Sequence, residues 1–74
     1  MQETPLKEVI AKRIIELRVT HNLKQNELAG YLGWSNQNMQ KAESGAQNIG
    51  TPKLKHICDY FNITLSDFFK SIDM

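Results

Sequence analysis

The sequence predicts an all-α domain of five helices, and three features of it support that fold class. Apolar residues recur every three or four positions in several segments, which is the spacing of a helix and not of a strand. Residues that favour helix starts, such as Ser35, and helix ends, such as Gly45, separate these segments. With 74 residues, the chain has room for one small core. We therefore predict a single domain over residues 1–74.

The first predicted helix runs from about Pro5 to Thr20. Thr4 is suited to cap its start, and Pro5 fits the first helical position, where no backbone N–H is needed. Asn22 can adopt the left-handed conformation that ends a helix. The residues expected on the inner face of this helix are Leu6, Ile10, Ile14 and Leu17.

Two shorter helices follow, with a tight turn between them. The earlier one is predicted over Gln25 to Leu32 and stops at Gly33, which permits a sharp turn. The later one begins after Ser35, a good N-cap, and ends before Gly45, a good left-handed cap. Few residues are left for their inner faces: Leu28, Ala29, Leu32, Met39 and Ala42.

A fourth helix is indicated by Thr51 and Pro52, with the threonine as its cap and the proline at its first position. Asn62 ends this helix. Thr64 and Asp67 then form the Thr-x-x-Asp pattern of a capping box for a short fifth helix. The apolar residues assigned to these two helices are Leu54, Ile57, Cys58, Phe61, Leu65, Phe68 and Ile72, with Phe69 nearby.

Composition argues against several classes of function. No apolar run is long enough to cross a bilayer, and the N-terminus lacks the order of a signal peptide, so we expect a cytoplasmic protein with no membrane partner. The single Cys58 cannot build a disulfide framework, and neither His21 nor His56 has a spaced partner for zinc. No nucleophile–base or paired-carboxylate pattern appears. We therefore expect no enzymatic activity, cofactor, metal or small-molecule ligand.

Charge distribution is more informative than the net charge, which is only +1. Between residues 25 and 51, the acidic residues are Glu27 and Glu43 alone. The third helix instead carries outward amides and one lysine, which suit the edges of DNA bases. A helix that only covers a core is more often solvated by Lys and Glu. The alternative interpretation is a polar helix face with no ligand.

Several segments match a single family pattern at its own spacing. The matching residues are Ile10, Ile14, Leu17, Arg18, then LKQNELAGYLGWS from Leu23 to Ser35, then Met39, Glu43 and Gly45, and finally ICDYFNITLSDFF from Ile57 to Phe69. Residues 10 to 69 thus resemble the Cro/CI-type (XRE-family) helix-turn-helix repressors, a group that includes phage repressors and the controller proteins of restriction–modification systems. The resemblance implies a compact, lambda-repressor-like domain in which the second and third helices form the helix-turn-helix.

The resemblance also implies which residues contact double-stranded DNA. Contacts to bases are expected from Asn36, Gln37, Gln40 and Lys41. Contacts to the DNA backbone are expected from Lys24, Gln25, Ser35, Asn38, Ser44, Gln47 and Asn48. Amides can bond adenine bidentately and a lysine can reach guanine, whereas a side-chain amide at a helix N-terminus suits a phosphate oxygen. The alternative for Gln25 is a surface residue with no partner.

Two further residues gain a structural role from the resemblance. It implies a partly buried ion pair between Arg18 and Glu43 that orients the third helix; the alternative is two solvated charges on separate helices. Trp34 stands where the family usually has a smaller aliphatic residue. We expect its indole to lie partly on the surface and to cover the side of the first helix.

The C-terminal segment LSDFFKSIDM suggests self-association. A chain of this length has little core in which to bury all its large apolar residues, so some should form an exposed patch. We predict a homodimer interface formed by Leu65, Phe68, Phe69, Ile72 and Met74. The alternative is that Phe68 closes the core of a monomer.

These expectations combine into one functional hypothesis and one alternative. The chain is predicted to be a sequence-specific, DNA-binding transcriptional regulator of the repressor or controller type. It would bind a palindromic operator as a homodimer through the major groove, with half-sites about one helical turn, ~34 Å, apart. The alternative is an antitoxin-type or other protein-binding module that uses the same fold.

Overall fold

Five α-helices and no strand make up the part of the chain that the computed structural model describes, residues 6–46 and 49–70. The helices are α1 (Leu6–Thr20), α2 (Gln25–Leu32), α3 (Asn36–Ser44), α4 (Thr51–Phe61) and α5 (Leu65–Lys70). The predicted all-α class is therefore confirmed. Within the described ranges, no helix is long and apolar enough to cross a membrane. The predicted cap Thr4 and first residue Pro5 lie outside these ranges.

The helix ends lie where local signals predicted them, with one exception. Left-handed residues follow four of the helices: Asn22, Gly33, Gly45 and Asn62. Ser35 and Thr64 cap α3 and α5, because their hydroxyl oxygens accept from the backbone N–H groups of Asn38 and Asp67 at 3.1 and 3.0 Å.

The exception is the start of α4, where Gly50 and not Thr51 is the N-cap. Gly50 has extended dihedral angles, φ −69° and ψ 159°, and its carbonyl accepts from Leu54 N–H at 3.0 Å. Thr51 is therefore the first helical residue, and Pro52 occupies the second position. No side chain caps this helix start.

A single core lies between the helices, and its members come from all five of them. Leu6 is an error of the sequence prediction, since its side chain is 61% exposed. Leu6 is the first residue of α1. The buried apolar residues are Ile10, Ala11, Ile14, Leu17, Leu28, Ala29, Leu32, Met39, Ala42, Leu54, Ile57, Cys58, Phe61 and Phe68.

Phe68 is a second correction, because the predicted dimer interface included it. Its side chain is 0% exposed and lies in the core cluster of one chain. Arg13 makes two contacts with Phe68. Its Nε donates to Phe68 O at 2.7 Å, and its guanidinium carbon lies 5.8 Å from the Phe68 ring centroid. A ring already buried in its own chain has no surface to offer a second copy.

Cys58 behaves as the small core residue that the sequence predicted. Its side chain is buried in α4 within the core cluster. Burial raises the pKa of the Cys58 thiol, and the neighbouring Asp59 carboxylate raises it further. The reactive species of a cysteine is the thiolate, so this thiol is unreactive in the folded protein.

Candidate nucleic-acid interface

Helices α2 and α3 form a helix-turn-helix whose crossing is fixed by small and fully buried residues. Ala29 is buried where the helices approach, and Leu28 and Met39 fill the space between them. Gly33 has φ 74°, and the next residue, Trp34, donates its N–H to Ala29 O at 2.8 Å. This bond completes the turn, so the direction in which α3 leaves α2 is set by backbone geometry.

The outer face of α3 is an exposed row of hydrogen-bonding side chains without a carboxylate. Its exposed residues are Asn36, Gln37, Asn38, Gln40, Lys41 and Ser44. A shallow concavity of about 420 Å³ runs along this face, lined by Gln37, Gln40, Lys41 and Ser44. The three amides of Asn36, Gln37 and Gln40 can both donate and accept, and the lysine adds one cation. Such a face can form hydrogen bonds with base edges.

The acidic side chains of α2 and α3, Glu27 and Glu43, are both engaged within the chain. Glu27 Oε1 accepts from the backbone N–H of Lys24 at 2.8 Å, which caps the start of α2. Glu43 belongs to α3 but points inward, and its side chain is only 4% exposed. A polyanion approaching α3 therefore meets amides and Lys41, while the carboxylate of Glu43 is withdrawn from it.

Glu43 is the centre of a hydrogen-bond network that joins three helices. Arg18 Nε on α1 donates to Glu43 Oε2 at 2.7 Å, and Gln25 Nε2 on α2 donates to Glu43 Oε1 at 3.0 Å. Arg18 Nη1 also donates to Leu23 O at 2.9 Å, in the loop between α1 and α2. Arg18 and Glu43 thus lie together as an ion pair, and the pair fixes α3 relative to α1.

The residues predicted to contact the DNA backbone differ in which of their hydrogen-bonding groups remain unused within the chain. Gln25 uses one amide hydrogen on Glu43, which leaves its second N–H and its oxygen. Ser35 accepts from Asn38 N–H and can still donate its hydroxyl hydrogen. The hydroxyl of Ser44 donates its own hydrogen to Lys41 O at 2.8 Å, so in this conformation Ser44 cannot donate a hydrogen bond to a phosphate. Gln47 and Asn48 lie outside the described residues.

Trp34 was expected to cover the side of α1, and the structure places its indole beside the first turn of α4. The Nζ of Lys53, in the first turn of α4, is 5.4 Å from the centroid of the indole. The rest of the ring packs against the edge of the core and is partly buried.

Sequence reasoning missed two long-range polar contacts. Arg13 donates to the carbonyls of Phe68 and Asp67 at 2.7 and 3.3 Å, which satisfies acceptors in the last turns of α5. His56 Nε2 on α4 lies 3.0 Å from Leu32 O at the end of α2. A signal existed for Arg13, whose spacing from Ile10 and Leu17 places it on the inner face of α1. For His56, the sequence offers no such signal.

Residues 6–46 and 49–70 contain no cluster of side chains suited to a metal ion. Among them, no three His, Cys, Asp or Glu side chains gather as a metal ion would require. His21 and His56 instead lie against backbone carbonyls, Nδ1 of His21 at 2.8 Å from Leu17 O. The exposed polar face of α3 is the candidate site.

Comparisons with known proteins agree with this geometry. The chain is 36% identical over 59 residues to a protein named Antitoxin PezA from Streptococcus pneumoniae serotype 4 (strain ATCC BAA-334 / TIGR4). The match covers 80% of this chain but only 37% of that protein. No solved structure matches the chain significantly. A family model described as the Cro/C1-type HTH DNA-binding domain matches residues 13–73. Because that match covers most of its length, the chain belongs to the Cro/C1-type helix-turn-helix DNA-binding domain family.

Proposed function

We propose that the protein is a sequence-specific transcriptional regulator of the repressor or controller type, which binds a palindromic operator in the cytoplasm as a homodimer. The observation that carries this proposal is the outer face of α3. It exposes amides and Lys41, and the acidic residues of α2 and α3, Glu27 and Glu43, are both engaged within the chain. Because Gly33 and the Glu43 network fix α3, its side chains enter the major groove in one orientation.

The proposed division of contacts follows the position of each side chain on α3. Asn36 and Gln37 lie in its first turn and meet the base edges first, with Gln40 and Lys41 one turn later. Backbone contacts come from Ser35 and Asn38 at the start of α3, and from Lys24 and Gln25 at the start of α2. Ser44 joins them only if its hydroxyl turns away from Lys41 O. Gln47 and Asn48 extend the same row in the following loop.

Dimerisation is proposed through the outer side of α5 and the residues after it. Leu65 is 38% exposed and Phe69 is partly buried at the edge of the core, so both keep apolar surface. Ile72 and Met74, which lie outside the described residues, are proposed to extend this surface. Two copies related by a twofold axis would present two α3 helices to half-sites ~34 Å apart.

The first experiment is the selection of bound sequences from a random duplex pool at a stated salt concentration. We expect a palindrome with half-sites one helical turn apart. The bases that covary with substitutions at Asn36, Gln37 and Lys41 would then assign each contact. Recovery of no enriched motif, with the protein folded, would overturn sequence-specific binding.

Gln37→Ala provides the sharpest test of a single base contact. We expect it to weaken the selected operator by ~1–3 kcal/mol and to leave binding to a non-specific duplex of the same length nearly unchanged. The reason is that a bidentate amide contact discriminates bases and adds little to backbone attraction. An equal loss on both duplexes would make Gln37 a backbone contact instead.

A second candidate function is supported by the relative whose name is Antitoxin PezA. The chain spans 37% of that protein, so any partner-binding activity of the whole relative is only a proposal here. Co-expression with the product of the neighbouring gene tests it. A stable complex that leaves operator binding intact would make the protein a DNA-binding antitoxin. If no complex forms, transcriptional regulation is the remaining candidate function.

A further inference from the structure

We propose that Lys53 is an additional contact to a DNA phosphate and that Trp34 holds it in position. The inference deepens the proposed function and rests on it. Neither residue was among the predicted DNA contacts. In the sequence, Trp34 comes before α3, directly ahead of the N-cap Ser35, and Lys53 comes after α3, in the first turn of α4. The fold brings the two side chains together.

The first argument is geometric. Lys53 Nζ lies 5.4 Å from the centroid of the Trp34 ring, within the range of a cation–π contact. The N–H of Trp34 bonds to Ala29 O in the helix-turn-helix, and its side chain packs against the core, so the ring is held at the start of α3. Lys53 is thereby held beside the end of α3 that enters the groove first. Phosphates line both edges of that groove.

The second argument comes from the other lysine of the same helix. Lys55 Nζ lies 3.2 and 3.3 Å from the two carboxylate oxygens of Asp59, so its charge is offset within α4. Lys53 rests instead against a neutral ring, which positions the ammonium without neutralising it. The first turn of α4 also contains no acidic residue. Among the described residues, Lys53 therefore has no carboxylate partner that offsets its charge, whereas Lys55 has Asp59.

The test compares the salt dependence of DNA binding in two variants that lose the same charge. Each phosphate contact contributes about −0.9 to the slope of log K against log salt concentration. We expect Lys53→Ala to make that slope shallower by about 0.9 and Lys55→Ala to leave it unchanged. Lys53→Arg should keep the wild-type slope. Both lysines are exposed, so neither substitution disturbs the core.

Trp34 is tested by a double-mutant cycle. We expect Trp34→Leu to weaken binding about threefold to tenfold in the wild-type background and hardly at all in the Lys53→Ala background. Its cost should thus depend on the lysine that it positions. Trp34→Phe, which keeps an aromatic face, should retain most of the affinity. Additive effects of Trp34→Leu and Lys53→Ala would overturn the positioning role.

The outcomes separate this inference from the proposed function. Equal slope changes in Lys53→Ala and Lys55→Ala would show a general field effect and overturn the inference, while wild-type DNA binding would still support the function. An unchanged slope in Lys53→Ala would overturn it as well. If the folded wild type binds no duplex at any salt concentration, the proposed function fails, and the inference fails with it.

Discussion

Three glycines lie in or beside the helix-turn-helix, and they differ in backbone φ and in the space available for a Cβ. Gly30 lies inside α2, and a Cβ added there would meet nothing within 4 Å. Gly33 has φ 74°, also with open space around it. Gly45 combines φ 75° with a close neighbour, because an added Cβ would lie 3.1 Å from Glu8 Cγ and 3.3 Å from Glu8 Cα. The backbone of α1 thus approaches the end of α3 only because residue 45 is glycine.

The three alanine substitutions should therefore differ in sign and size. Gly30→Ala should stabilise the protein by ~0.5–1 kcal/mol, since alanine is the better helix residue. Gly33→Ala should cost ~1–2 kcal/mol from the left-handed conformation alone. Gly45→Ala should cost more than Gly33→Ala, because crowding against Glu8 adds to the same strain. Urea unfolding measures all three, and equal costs at Gly33 and Gly45 would contradict the close approach of α1.

At the scale of helices, the orientation of α3 depends on charges that the structure has largely removed from water. The side chains of Arg18 and Glu43 are 17% and 4% exposed, and Gln25 adds a third helix to the pair. Among the described residues, no buried side-chain nitrogen or oxygen lacks a hydrogen-bond partner. A buried pair is costly to break, because the remaining partner is left unpaired in a medium that solvates it poorly.

Two ion pairs of the chain give a matched comparison of this effect. Glu43→Ala should cost about 3 kcal/mol or more, since it leaves Arg18 without its anion. Asp59→Ala removes the partner of Lys55 from a pair whose side chains are 66% and 62% exposed, and it should cost less than ~1 kcal/mol. Thermal or urea unfolding at two salt concentrations measures both. Similar costs for the two variants would contradict the role assigned to burial.

Helix boundaries were predictable because their signals are local, whereas contacts between helices were mostly not, and the Arg18–Glu43 pair was expected from the family resemblance alone. Ser35, Gly45 and Asn62 act on the backbone next to them, so the sequence states their effect directly. The cap of α4 was misplaced by one residue because Thr51 is a better capping residue than Gly50, and the observed geometry does not follow that preference. The position of Trp34 beside α4 required the crossing angles of the helices, which no single segment contains.

At the scale of the whole molecule, the short helix α5 contributes a residue to the core and also keeps apolar surface exposed to solvent. Phe68 is directed inward, where Arg13 holds the carbonyls of the same turn. Phe69 contacts the Phe68 ring edge-on, with centroids 5.1 Å apart, and remains partly buried. Leu65 lies further out. Folding and the proposed self-association therefore depend on different residues of one helix, and substitutions can separate them.

Leu65→Glu should weaken the proposed dimer about tenfold or more, because it places a charge in an apolar contact between copies, and leave the stability of the monomer nearly unchanged. Phe68→Ala should instead lower the free energy of unfolding by ~3–5 kcal/mol through the cavity it leaves. Sedimentation equilibrium over a range of concentrations measures the first effect, and urea unfolding at low concentration measures the second. A wild-type protein that stays monomeric at high concentration would overturn the dimer. Two copies would then come together only on the DNA. In that case, the two half-sites would be bound independently, even after their spacing is changed by half a turn.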